Sequence, residues 1–220
     1  MFNEITGRIE CVMNSTFISS LRRATVSSLA ARLFLNENPE TIVILGAGAQ
    51  AAMQLQVFAC TMPTLKRAYI YDVDPQRSDS LRKQMSGVID ITISQSAREA
   101  VELSTLVIPL TTVTEGYIQF DWLRPGSVVI NVSWDDVLPD VVFRAEKVVV
   151  DDWSFVKADD KRLLARLFRA GKVAVPYDEN VPPGTRRVDG ELGGPLTTGT
   201  IPANEPGGHY IGQSIRHVPA

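Results

Sequence analysis

Six short runs rich in Val, Ile and Leu recur along the chain, at Thr41–Leu45, Ala68–Tyr71, Ile89–Ile93, Thr105–Leu110, Ser127–Val132 and Lys147–Val150. Their apolar character is nearly continuous rather than alternating, which predicts strands covered on both faces. Helical segments separate them: Ala49–Cys60, Pro75–Met85 behind an Asp74 cap, a short one around Ser96–Leu103, and Asp159–Ala170. Strands spaced by about 20 to 25 residues with helices between them predict parallel pairing through crossovers. The expected fold class is therefore α/β, a doubly wound parallel sheet with helices on both faces. Ahead of it, residues 14–35 predict an amphipathic helix capped by Asn14 or Ser15 and stopped at Asn36-Glu-Asn-Pro39. Beyond about residue 175 the chain turns to Gly, Pro and Thr without periodicity, and no packed element is expected there.

The first strand runs into Gly46-Ala47-Gly48-Ala49-Gln50-Ala51 and then into a helix. In that setting the small residues have a physical use. Gly46 permits a tight turn, Gly48 lets a pyrophosphate approach the backbone, and Ala51 allows the helix to pack closely on the strand. Free N–H groups at the helix start then face the anion. The second requirement, an acid ending the second strand, is met by Asp72 in Tyr71-Asp-Val-Asp74, 21 residues beyond Ala51. A carboxylate there accepts from ribose hydroxyls and repels a 2′-phosphate, so NAD is expected and NADP less so, although nearby Arg77 weakens the preference. Asp74 reads better as a helix cap than as a ligand. Residues 1–36 are thus expected to form a helical lead-in, 37–175 a dinucleotide-binding Rossmann domain, and 176–220 an irregular tail.

Composition excludes several classes. A net charge of −3, with Lys and Arg scattered, gives no pull towards nucleic acid. No run approaches the length of a membrane span, and MFNEITGRIE lacks the features of a signal peptide, so no membrane partner and a cytoplasmic location are expected. Cys11 and Cys60 fit no metal spacing and read as reduced thiols; no metal site is expected. Both histidines, His209 and His217, lie in the last twelve residues, which disfavours a core histidine acid–base group.

The helix Ile18-Ser-Ser-Leu-Arg22-Arg-Ala24 followed by the Gly-Ala-Gly-Ala-Gln-Ala turn resembles the ornithine cyclodeaminase/μ-crystallin family, which carries an I-T-x-x-R-T-A-A helix before a G-A-G-x-Q-A turn. Tyr71–Pro75, Thr111-Thr-Val-Thr114, Leu123-Arg-Pro-Gly126, Val148–Asp152 and Asp189-Gly-Glu-Leu-Gly193 extend the likeness over roughly residues 8 to 200. Arg23 stands where the family usually has Thr. The loop Asn131-Val-Ser-Trp-Asp-Asp136 is closer to the branch of SbnB-type amino-acid dehydrogenases of diaminopropionate synthesis.

The resemblance implies that NAD takes hydride from the α-carbon of an amino acid to give an imine, followed by cyclisation with loss of ammonia, as with ornithine, or by capture by a second amine. It also implies a small amino-acid substrate and, for a full-length form, a homodimer. Asp136, with Asp135 second, is the implied acid–base group. Arg22 is the candidate clamp for the substrate carboxylate or a contact to cofactor phosphate. Thr112 and Thr114 would line the nicotinamide side, and Gly46, Gly48, Ala49, Gln50, Ala51 and Asp72 would hold the cofactor. The family's opening segment, with a substrate-binding arginine and a catalytic lysine, has no counterpart in these residues, and the substrate/dimerisation domain is expected to be incomplete. A non-catalytic nucleotide-binding protein related to μ-crystallin is the remaining expectation.

Overall fold

The computed structural model describes residues 2–178 and 180–193 and the backbone of Tyr210–Gln213. The leading helix, α1 (Ser15–Phe34), starts at Asn14, whose side-chain oxygen accepts from the Thr16 N–H at 2.9 Å. Strand and helix then alternate: β1 (Thr41–Leu45), α2 (Ala51–Thr61), β2 (Arg67–Tyr71), α3 (Pro75–Gln84), β3 (Asp90–Ile93), α4 (Ala97–Val101) and β4 (Leu106–Pro109). A single 3-10 turn, Phe120–Trp122, leads to β5 (Val128–Asn131), α5 (Pro139–Arg144), β6 (Lys147–Val150), α6 (Trp153–Ala158) and α7 (Leu163–Arg169). Four short strands follow: β7 (Val173–Ala174), β8 (Arg186–Arg187), β9 (Gly190–Glu191) and β10 (Tyr210–Gln213).

The main sheet has the order β3-β2-β1-β4-β5-β10-β6-β9, and its pairings are all parallel. The order in which successive strands are added reverses between β1 and β4, which puts a crevice at the C-terminal ends of those two neighbouring parallel strands. Alternation along the strands explains the unbroken apolar runs. Ile42 and Ile44 of β1 pack on one face with Leu55 and Phe58 of α2 and Phe34 of α1, whereas Val43 and Leu45 pack on the other with Val101, Val142 and Leu164. Both faces are buried, as a doubly wound sheet requires.

Helix α1 runs beside α2 in the same direction. Gln50 donates to Ser20 at 3.0 Å, Gln54 to Ser27 at 3.2 Å, and the Ser28 and Thr61 hydroxyls meet at 2.7 Å. The start of α1 therefore lies at the same end of the sheet as the start of α2.

Two regions depart from the sequence reading. The helix expected over Asp159–Ala170 is shorter, α7, and begins only after Arg162, while a separate helix not expected from the sequence, α6, precedes it, capped by Asp152 through the Ser154 N–H at 2.8 Å. The segment beyond 175, expected as an irregular tail, supplies β8, β9 and β10, and the last two belong to the main sheet. These strands are too short for any periodicity. Side chains hold β9 instead: Asp189 accepts from the Val148 N–H at 2.7 Å and from Arg186 at 2.6 Å, and Glu191 accepts from the Trp153 N–H at 2.6 Å. Among the described residues no helix is long and apolar enough to cross a membrane, and neither cysteine forms a disulfide. His209 and His217 lie outside the described residues.

Candidate active-site cleft

A cleft of about 390 Å³ opens at the strand reversal, walled by Gly46, Gly48, Tyr71, Asp72, Arg77, Thr111, Thr112 and Tyr117. Its floor is the glycine turn. Gly46 has φ +95°, and a Cβ there would come within 3.2 Å of the Leu110 carbonyl carbon and oxygen, so both conformation and space require glycine. Gly48 differs. A Cβ built on it meets nothing within 4 Å, because it faces the open cleft. No side chain caps the start of α2, whose first residue, Ala51, is fully buried against the sheet. The Ala51 N–H donates to the Gly48 carbonyl at 3.0 Å, and the next amides of the first turn, Ala52 and Met53, are left for an anion. Ala49 is exposed, and the Gln50 amide turns away to Ser20 of α1.

Asp72 borders the cleft at the end of β2. Its Oδ2 accepts from the Ala47 N–H at 2.7 Å and its Oδ1 from the Asp74 N–H at 2.8 Å. The carboxylate thus buttresses the glycine turn as well as facing the cleft, with a lone pair on each oxygen still available. Asp74 caps α3 through the Gln76 N–H at 3.0 Å. Arg77, on the same wall, lies 3.6 Å from Asp74 in an exposed pair.

The opposite wall is built from the segment after β4. Thr112 lines the cleft, while Thr114 is exposed and lies off its wall. Thr111 and Tyr117, which the sequence alone did not single out, line it too, and both lean on Asp136. The Thr111 hydroxyl donates to Asp136 Oδ1 at 2.5 Å and the Tyr117 hydroxyl to the same oxygen at 3.0 Å, while Ser133 donates to Oδ2. Asp136 is itself fully buried, one layer behind the wall. Burial pushes its carboxyl up to about 6. The Thr111 and Tyr117 hydroxyls pull it down, and the neighbouring Asp135 charge adds to the rise. Burial and the Asp136 charge likewise raise the Tyr117 phenol above its ordinary value.

Backbone contacts fix this arrangement. The Tyr117 and Ile118 N–H groups both donate to the Asp136 carbonyl at 2.9 Å. A Cβ on Gly116 would lie 2.6 Å from the Val137 carbonyl oxygen, so the two loops touch through a glycine. Asp135, the second candidate, points elsewhere: it is buried and held by both terminal nitrogens of Arg166, at 2.7 and 3.0 Å. That pair fastens the Asp136 loop to α7. Arg22 is exposed on α1, whereas the next residue, Arg23, is half-buried. Among the described residues no group of His, Cys, Asp and Glu is placed to hold a metal.

An all-parallel, doubly wound sheet with a glycine turn and an acid at its reversal point defines a Rossmann-type α/β protein. The family model for the ornithine cyclodeaminase/mu-crystallin family matches residues 1–154, and the chain belongs to that family. It is 32% identical over 200 residues to the N-((2S)-2-amino-2-carboxyethyl)-L-glutamate dehydrogenase of Staphylococcus aureus, covering 88% of this chain and 55% of that protein. It is 25% identical over 159 residues to the Delta(1)-pyrroline-2-carboxylate reductase of Paracoccus denitrificans, covering 72% and 48%. The solved structure of CmnK superposes with a TM-score of 0.84 at 29% identity, over 96% of this chain and 60% of that one. The chain spans about half the length of the curated relatives it matches.

Proposed function

We propose that this chain binds NAD(H) in the cleft and belongs to an oxidoreductase acting at the α-carbon of an amino acid or its imine. The observation carrying the reading is the pairing of two walls. On one, Gly48 and the uncapped start of α2 leave room and donors for a pyrophosphate, with Asp72 beside them for ribose. On the other, Thr111 and Tyr117 present hydroxyls backed by a carboxyl near 6. The names of the relatives support it: one is a dehydrogenase of an amino-acid derivative, another reduces a cyclic imine.

Bound NAD would accept or return hydride, the hard step of the reaction. This chain's residues do the rest. As the amine is oxidised to imine, a proton leaves nitrogen; the Tyr117 and Thr111 hydroxyls connect the cleft to Asp136, which takes it up when ionised and returns it when protonated. Arg22, on the helix beside the glycine turn, is available for a substrate carboxylate or a cofactor phosphate. Cyclisation of ornithine with loss of ammonia is the second chemistry the family carries.

Titration of NADH and NADPH fluorescence against wild type and Gly48→Val tests the cofactor part: tighter NADH binding by wild type and at least tenfold loss in the variant are expected. Activity assayed with acidic and basic amino acids should fall strongly on Arg22→Ala.

A further inference from the structure

Four buried hydrogen-bond donors on three residues at one end of the sheet make no hydrogen bond. Arg23 Nε on α1, Asn131 Nδ2 at the end of β5, and Nε and Nη1 of Arg162 at the start of α7 are enclosed without a hydrogen-bond partner. Arg162 is only 2% exposed and Asn131 is fully buried. An orphaned buried donor destabilises a fold, so a cluster of them is normally avoided. All of these are donors, whereas the enclosed acceptors without a partner on the neighbouring helix, Gln50 Oε1 and Gln54 Oε1, belong to α2 and its N-cap.

The elements bring them together. Helix α1 packs on β5, of which Asn131 is the last residue. Arg23 leaves α1 one turn after Ser20, the contact to Gln50 at the start of α2. Arg162 reaches from the opposite face, where Arg166 binds Asp135 and Lys161 lies 5.0 Å above the Trp134 ring, so α7 begins against the Asp136 loop. The Arg22 and Arg162 charges both oppose that of Arg23, whose burial already disfavours its charge. Helix α1 packs on β5 and α7 begins beside the loop that follows β5, which sets both arginines towards the C-terminal ends of the strands. Asp159, 3.4 Å from Arg162 Nε, offsets part of this charge but leaves the donors unspent.

We propose that Arg23, Asn131 and Arg162 form a binding site for a second carboxylate of an acidic amino-acid substrate. A carboxylate supplies about four acceptor positions to planar, forked donors and cancels the repulsion between two guanidiniums. The cofactor pyrophosphate has its own donors at the start of α2, while these donors flank the Asp136 loop on the substrate side. Arg22 remains for the α-carboxylate. A basic side chain such as that of ornithine would meet three arginines of its own sign. The proposal rests on the amino-acid reading above and deepens it to substrates with two or more carboxylates.

The test uses the 220-residue chain at fixed ionic strength, titrated calorimetrically with L-glutamate, glutarate, acetate and ornithine, with NADH titrated separately. Binding of L-glutamate and glutarate at least tenfold tighter than acetate or ornithine is expected. Arg23→Gln should lose at least tenfold in L-glutamate affinity, keep NADH affinity within twofold, and melt at or above the wild-type temperature without ligand. Arg162→Gln should repeat the loss where it folds; Arg23→Gln decides alone where it does not. Equal binding of acetate and glutarate, or an Arg23→Gln variant that binds L-glutamate like wild type, overturns the site. So does a ligand-free melting temperature that drops with unchanged affinity, which marks a structural pair. Parallel loss of NADH affinity assigns the donors to the cofactor and also overturns it. Failure of wild-type NADH binding, by contrast, strikes the cofactor reading and leaves the carboxylate measurements to stand by themselves.

Discussion

Two glycines two residues apart have opposite reasons for being glycine. Gly46 is needed by the fold, since its φ of +95° and the 3.2 Å approach of Leu110 both exclude a side chain. Gly46→Ala should cost about 1–3 kcal/mol of stability, read by urea denaturation. Gly48 is surrounded by open cleft, so Gly48→Val should fold with nearly unchanged stability yet bind NADH at least tenfold more weakly, about 1.4 kcal/mol. If both variants lose stability equally, the cleft does not begin at Gly48. Asp72 combines the two roles. Its oxygens accept from Ala47 and Asp74, so Asp72→Ser should narrow the preference for NADH over NADPH and also cost about 1–3 kcal/mol through the orphaned amides. A variant with altered cofactor choice and full stability would show that the two backbone bonds contribute little.

At the scale of elements, the loop after β5 is held from two sides. Gly116 lets the Thr111–Ile118 segment lie on Asp135–Val137, and Arg166 pulls Asp135 towards α7. Gly116→Ala, with a Cβ 2.6 Å from a carbonyl oxygen, should force the loops apart at about 1–3 kcal/mol and weaken the Thr111 and Tyr117 bonds to Asp136. Unchanged urea stability would mean the loops separate freely. The sequence discloses β1 to β6, α1 to α4, α7 and the glycine turn, because the strands are unbroken apolar runs and the helices between them carry caps or a helical period. It does not disclose α5, α6 or β7 to β10. The strands β7 to β9 have two residues each and depend on contacts distant in sequence, such as Asp189 with Val148. The same reason separates the two walls of the cleft. Gly46, Gly48 and Asp72 follow a local spacing, whereas Thr111 and Tyr117 matter only because folding places them on Asp136.

For the whole molecule, the buried Asp136 carboxyl makes stability depend on pH. Its folded value of about 6 lies above the ordinary 3.8, so the folded state holds a proton that the unfolded chain has released. The contribution is fully present below about pH 4 and is lost as pH rises to about 6. Integrated over that window, ionisation weakens the fold by about 2–3 kcal/mol, with no further change from this group above it. Other carboxyls act in the opposite sense. Glu40, held low by Lys66, and Asp152, held low by Ser154, favour the folded state once ionised, but at lower pH and at the surface. The difference between wild type and Asp136→Asn isolates the buried group, since the amide keeps the shape and cannot ionise. Urea denaturation should show the variant gaining on wild type by about 2–3 kcal/mol between pH 4 and pH 7. A constant difference across that range would mean that Thr111, Tyr117 and Ser133 hold Asp136 ionised in spite of its burial. It would then have no proton to give near neutral pH, and the proton transfer assigned to it would fall with it.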